Sequence, residues 1–191
     1  RCTYCHCYTS LENEENYNEY IKKLIQEIHE TCKSIGKKIS LDSVFIGGWT
    51  PNIVGSDLLW KVLRTIHENF DTSNISQFNI DLNPYHLDDN TIRVLKENKV
   101  NRCTYAIQSF NTDILRENAR YFNDTDHKHN VNFLRSSWIQ VNIDLMVWIK
   151  WQTLESCITD IKYAQELQAD HISLNYFIQS SNVHYQIDDE K

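Results

Sequence analysis

Apolar positions along the chain alternate between two rhythms. Tyr17, Tyr20, Ile21, Leu24, Ile25 and Ile28 recur at helical spacing and predict one helix, ended by Gly36. The short run Ser43 to Gly48 (SVFIGG) then reads as a buried strand. Ser56 is placed to cap a second helix with Leu59, Val62, Leu63 and Ile66 on its inner face. Gln77 to Asn83 is the next strand, followed by a short helix with Ile92 and Leu95 inside. Arg102 to Ser109 is a strand, and a helix begins near Asn111. Gln140 to Val147 is a strand, after which Thr153 caps a helix expected to turn Leu154, Cys157, Ile158, Ile161 and Ala164 inward. His171 to Ile178 is the last clear strand.

Strands separated by helices, with no hairpin turns between them, imply a parallel sheet with right-handed helical crossovers. Polar residues gather where the strands end: Asp81 and Asn83, Gln108 and Ser109, Asp144, and Asn175, with Gly47 and Gly48 at the equivalent place. In βα barrels those C-terminal ends carry the chemistry. Polar strand ends also arise simply because strands emerge into solvent. Asp144 resists that explanation, since it lies between Ile143 and Leu145 in an apolar strand, where an unpaired carboxylate costs several kcal/mol.

The 191 residues suit one domain with a real core, and 41% hydrophobic with 24% charged residues is ordinary for a globular protein. The net charge of −7 argues against nucleic acid as the main partner. No apolar run is long enough to predict a membrane span. With no signal peptide evident, a cytoplasmic location is expected. Because the chain opens at Arg1 rather than Met, it reads as a piece of something longer. Residues 179–191 are polar and carry no pattern beyond a tail or the start of an extension. Only four glycines and two prolines occur, well below the usual shares of about 7% and about 5%.

Three of the six cysteines, Cys2, Cys5 and Cys7, crowd the first seven residues, while Cys32, Cys103 and Cys157 are dispersed. That distribution fits a single metal-binding loop in a reduced protein better than a disulfide framework. Thiolates are soft ligands for zinc or iron–sulfur clusters. A structural zinc site would want a second ligand pair about 12–20 residues on, and the nearest candidates, His29 and Cys32, fall on the first helix.

The loop resembles the end of the Cys-x-x-x-Cys-x-x-Cys motif of the radical S-adenosylmethionine (SAM) family, with Cys2 and Cys5 as its second and third cysteines and Tyr4 as the usual aromatic before the last. Cys7, two residues on, resembles a further cysteine characteristic of the oxygen-independent coproporphyrinogen III oxidases, within a family that includes heme chaperone-like relatives. Five further segments resemble that family in order. FIGGWTPNIV (45–54) is similar to its glycine-rich strand end, which implies that Gly47, Gly48, Trp49 and Thr50 receive the methionine part of the cofactor. FNIDLNP (78–84) puts Asp81 at the motif glutamate. VNRCTYAIQSFN (100–111) puts Gln108 on the cofactor, with Arg120 following. VNIDLMVWIKWQTLES (141–156) puts Asp144 at the ribose-binding aspartate. DHISLNYFI (170–178) brings backbone near Ile178 to adenine.

The resemblance implies a partial (β/α)6 TIM-like barrel over residues 1–178 whose first strand is missing, lying before Arg1. It implies a [4Fe-4S] cluster held by Cys2, Cys5 and an earlier cysteine, with Cys7 as a further candidate ligand, and S-adenosyl-L-methionine bound beside it. The implied reaction is oxidative decarboxylation of a porphyrinogen substrate, with an electron donor protein as partner. A non-catalytic scaffold or heme-binding module, a methyltransferase and a heme chaperone are the alternatives. Several motif positions depart from the pattern. Trp49 replaces a glycine, Ala106 another, and Val147-Trp148-Ile149-Lys150-Trp151 stands where the family has Tyr-Gly-Leu-Pro-Gly. Large side chains at positions of close approach or positive φ each carry a penalty of about 1–3 kcal/mol unless the backbone adjusts. Trp49, Trp148 and Trp151 are candidates for an aromatic wall facing a planar ligand.

Overall fold

The computed structural model describes residues 2–5, 14–48, 50–120 and 125–177. Within them, α1 (Glu14–Ile35), β1 (Ser43–Ile46), α2 (Ser56–Asn69), β2 (Gln77–Leu82), α3 (Asp89–Glu97), β3 (Arg102–Gln108), α4 (Thr112–Glu117), α5 (His127–Ser136), β4 (Gln140–Val147), α6 (Leu154–Glu166) and β5 (His171–Tyr176) follow one another. The strands form one sheet in the order β1-β2-β3-β4-β5, and every neighbouring pair is parallel. The expected parallel βα architecture is therefore observed. Trp49, Cys7 and Ile178 lie outside the described residues, as does the 179–191 tail.

Strand alternation divides the sheet into two faces. Phe78, Ile80 and Leu82 of β2, Cys103 and Tyr105 of β3, and Val141, Ile143 and Leu145 of β4 point one way and are at most 1% exposed. They pack against Leu59, Leu63 and Ile66 of α2, Ile92 and Leu95 of α3, Val131 and Leu134 of α5, and Ala164 of α6. Burying each large aliphatic side chain contributes about 1.5–3 kcal/mol, so this layer carries the fold. The opposite face holds Asn79 and Asp81, Thr104, Asn142 and Asp144, and Ser173 and Asn175, and register sets Asp81, Thr104, Asn142 and His171 side by side.

The helices start as their sequences dictate. Asp88, Asn111 and Asp126 cap α3, α4 and α5 by accepting from backbone N–H groups two or three residues on. Thr153 and Ser156 form a reciprocal capping box on α6. Ser56, expected to be a cap, is the first helical residue of α2, and Gly55 at φ 82° takes the cap position without a side-chain bond. The inward face of α6 is also rotated from expectation. Asp160 and Ala164 are buried, whereas Leu154 and Ile158 are exposed, as is Tyr20 on α1.

Four helix ends share one device. After α3, α4, α5 and α6, the residues Lys99, Ala119, Trp138 and Gln168 adopt left-handed φ values of 58°, 53°, 65° and 58°. Each donates its N–H to the carbonyl three residues back, and the following residue, Val100, Arg120, Ile139 or Ala169, donates to the carbonyl five back. This is the Schellman arrangement, usually completed by glycine. The chain makes it four times without one.

Candidate functional site

The cysteine loop packs at the C-terminal rim of the sheet. Cys5 N–H donates to Cys2 C=O at 3.1 Å, closing a tight turn that brings the two cysteines together. None of the described cysteines forms a disulfide. Thr3 is bonded twice to Asn118, the residue after α4, through backbone (3.0 Å) and hydroxyl (3.2 Å). Tyr4 packs against Ile114 of α4, Met146 at the end of β4, Ile149 beyond it, and Phe177 after β5. Burial and the nearby Cys2 sulfur push its phenol well above the ordinary range, so it stays protonated, although Arg120 acts against the shift.

Arg120 is set by the Schellman turn that ends α4, with its N–H on Leu115 C=O at 2.9 Å. From there Nη1 reaches to 3.8 Å from Cys2 Sγ, and Nη2 donates to Ala106 C=O at the end of β3. The guanidinium also covers the Tyr85 ring, 5.6 Å from its centroid. Burial pulls the Arg120 pKa down, but its polar neighbours Tyr4, Cys2 and Tyr85 more than offset that and the net shift is upward. Tyr85 follows β2, and burial pushes its pKa up to about 12.

Gln108 ends β3. An extra residue is inserted between Tyr105 and Gln108 relative to β4, and Gln108 itself has φ 78°. A bulge followed by a left-handed residue re-aims a strand end, and such strain gathers at functional positions. Gln108 is 2% exposed, yet its Oε1 has no hydrogen-bond partner. Beneath this turn Asp160 accepts from Ser109 Oγ at 2.7 Å and from Phe110 N–H at 2.8 Å.

At the end of β1, a Cβ added to Gly47 would sit 2.7 Å from the Phe45 ring and 3.5 Å from Asp81 Oδ2. Gly48 has φ 108°, which L side chains avoid, and its carbonyl accepts from Thr50 N–H at 2.8 Å. Asn52, 1% exposed, exchanges two 2.9 Å bonds with the backbone of Asn83 and so fastens this segment to the end of β2.

Asp144 is 7% exposed and accepts from Asn142 Nδ2 at 2.8 Å, while Ser173 Oγ donates to Asn142 Oδ1 at 3.0 Å. Burial raises its pKa despite these donors. Asp144 is thus a supported buried carboxylate on the polar face, as its apolar neighbours suggested.

Of the expected site residues, Cys2, Tyr4 and Arg120 are joined directly by contacts at this rim. Gly47, Gly48, Thr50, Asp81 and Gln108 stand at C-terminal strand ends or in the loops beyond them, while Asp144 lies within β4 on the polar face and Cys5 in the cysteine loop. Trp148 and Trp151 keep left-handed φ values of 68° and 67° although neither is glycine, and they are 62% and 64% exposed. Trp138, at the opposite end of the sheet, is left-handed and 87% exposed as well, so these two features alone do not mark a ligand wall. Sequence reasoning missed Asn52, Asn118 and Asp160. Among the described residues no group of three His, Cys, Asp or Glu side chains is gathered to hold a metal; Cys2 and Cys5 are two thiols, and Cys7 lies outside. No described helix is long and apolar enough to cross a membrane.

A parallel βα sheet with a cysteine loop at its C-terminal rim defines a class, and the profile of the radical SAM superfamily matches residues 1–164. The chain belongs to that superfamily. Within it, the chain is 28% identical over 174 residues to the heme chaperone HemW of Buchnera aphidicola, covering 91% of this chain and 46% of that protein. It is 28% identical over 189 residues to HemW of Bacillus subtilis, covering 97% and 50%. It is 24% identical over 175 residues to the oxygen-independent coproporphyrinogen III oxidase of Bradyrhizobium diazoefficiens, covering 91% and 39%. The fold matches the coproporphyrinogen III oxidase HemN of Escherichia coli with a TM-score of 0.85 at 22% identity, over 95% of this chain and 42% of that one. The chain thus spans about half the length of the curated relatives it matches.

Proposed function

We propose that this chain is the core of a radical SAM enzyme that binds a [4Fe-4S] cluster and S-adenosylmethionine and acts on a porphyrinogen-like tetrapyrrole. One observation carries the reading: the thiols of Cys2 and Cys5 are docked on the rim beside Arg120, next to strand ends that offer a supported buried carboxylate at Asp144 and an unsatisfied buried acceptor at Gln108. A buried amide oxygen without a donor is costly unless a ligand supplies one. Gly48 faces open space and leaves room for a ligand against backbone, while Gly47 lies close against the Phe45 ring.

A cluster held by Cys2, Cys5 and the earlier cysteine would supply one-electron reduction of the cofactor's sulfonium. The residues of this chain bind and orient. Cys2 and Cys5 hold iron, with Cys7 as a further candidate. Gly47, Gly48, Trp49 and Thr50 receive the amino-acid end of the cofactor. Asp81 would accept from its ammonium, Gln108 and Arg120 would hold its polar half, Asp144 would accept from ribose hydroxyls, and backbone near Ile178 would meet adenine. Tyr4, Met146, Ile149 and Phe177 exclude water behind the cysteine loop. An electron donor protein completes the reaction.

Anaerobic iron and sulfide loading tests this directly. The protein is expected to gain a brown chromophore, lost in Cys5→Ala, and with dithionite to release deoxyadenosine from added SAM. Asp144→Ala should keep the chromophore but weaken SAM binding by about tenfold or more. Failure of the protein carrying the earlier cysteine to load iron would overturn the reading.

A heme chaperone is the second reading, favoured by the heme chaperones among the relatives above. It expects stoichiometric heme binding without turnover of a porphyrinogen.

A further inference from the structure

Asn118 lies outside every motif named above, is 0% exposed, and meets three separate segments. Its Oδ1 accepts from the Thr3 hydroxyl (3.2 Å) and its C=O from Thr3 N–H (3.0 Å), inside the cysteine loop. Its Nδ2 donates to Ile114 C=O within α4 (2.8 Å) and to Lys150 C=O in the β4–α6 loop (2.9 Å). We propose that Asn118 is a positioning residue of the cysteine loop, a buried side chain that holds Thr3, between Cys2 and Cys5, against the rim and ties it to the Trp148–Trp151 loop. This rests on the cysteine loop being the metal-holding element, and it deepens that reading.

The chemistry explains why an asparagine stands here. The site needs one acceptor facing Thr3 and two donors facing carbonyls, in a space without water. An amide supplies both from one planar group. A carboxylate keeps the acceptor and loses the donors, and an aliphatic side chain loses all three. The location matters as well. Asn118 caps the last turn of α4, so its side chain is fixed by the helix, and the next two residues turn Arg120 back onto Cys2 Sγ. Asn118 therefore holds the loop from Thr3, and Arg120 meets it one residue earlier at Cys2. Tyr4, on the far side of Thr3, is pinned by the apolar cluster that includes Ile149, whose neighbour Lys150 is the carbonyl partner of Asn118.

The test reads thiol accessibility in the metal-free protein, so its result is independent of whether iron binds. Alkylation of each cysteine by N-ethylmaleimide is followed by mass spectrometry. Cys103, fully buried under the helices, reports opening of the whole fold. Thr3→Val, Asn118→Asp, Asn118→Leu and the double variants are compared. Thr3→Val should speed alkylation of Cys2 and Cys5 about five- to tenfold, the loss of one hydrogen bond, with Cys103 still protected. Asn118→Leu should speed it further. Adding Thr3→Val should have an effect in the Asn118→Asp background, where the acceptor survives, and none in Asn118→Leu. Unchanged Cys2 and Cys5 rates in Thr3→Val and Asn118→Leu would overturn the proposal. So would Cys103 rising in step with them in every variant, because Asn118 would then hold the fold rather than the loop. Failed iron loading alongside the expected alkylation pattern would count against the cluster alone.

Discussion

Ser109 Oγ donates to Asp160 Oδ2 at 2.7 Å, and this bond joins α6 to the turn that carries Gln108. Asp160 is 3% exposed, and burial raises its pKa against the donors that lower it. A raised pKa means that the ionised form is the costly one in the fold, so stability falls as pH rises through the native pKa. Ser109→Ala removes a donor to that carboxylate and is expected to cost about 1–3 kcal/mol near neutral pH. The deficit should shrink in acid, where the carboxyl is protonated. Urea denaturation at several pH values checks this, with an unchanged slope against denaturant.

The four Schellman turns predict easy stabilisation. A left-handed non-glycine residue costs roughly 1–2 kcal/mol. Lys99→Gly and Trp138→Gly should each raise stability by about 1 kcal/mol, and the pair should add, since the two sites share no partner. Thermal unfolding of the single and double variants measures it. Trp138→Gly is the sharper case, because the indole is 87% exposed and gives up little packing.

Asp144→Asn is expected to stabilise the ligand-free protein. Burial raises the Asp144 pKa, so ionisation is unfavourable in the fold and stability falls as pH rises through the native value. An amide keeps the acceptor for Asn142 and removes the charge. The gain should be about 1 kcal/mol at neutral pH and fade toward the acid side, while SAM affinity falls. Paired melting curves and binding titrations across pH check both halves.

Much of this architecture is legible in the chain because the sheet's buried face is written as alternating apolar residues. Phe78, Ile80 and Leu82, or Val141, Ile143 and Leu145, announce a strand and its inner side at once. Asp144 stood out because it interrupts such a run. Helix faces were read less well. On α6 the apolar Leu154 and Ile158 suggested an inward stripe, but a charged residue, Asp160, occupies the core side because the β3–α4 turn needs its carboxylate. The helix α5 was not separated from α4, since the segment between them has no glycine or proline to mark the break. The glycine shortage itself was visible, but not its meaning. Lys99, Trp138 and Gln168 carry no mark of a left-handed turn; each is followed by an apolar or small residue whose N–H bonds the carbonyl five back. Asn118 was invisible for a related reason: one asparagine among polar neighbours gives no pattern, and its role exists only once three segments converge.

The two-faced sheet has a consequence for how variation in this molecule should be interpreted. Odd and even positions along one strand answer to separate demands, so adjacent residues can change at independent rates. A replacement at Ile80 or Ile143 acts on the packed core; a replacement one step away, at Asp81 or Asp144, acts on the polar face where the proposed cofactor would lie. Such a sheet can acquire a new chemistry without being rebuilt.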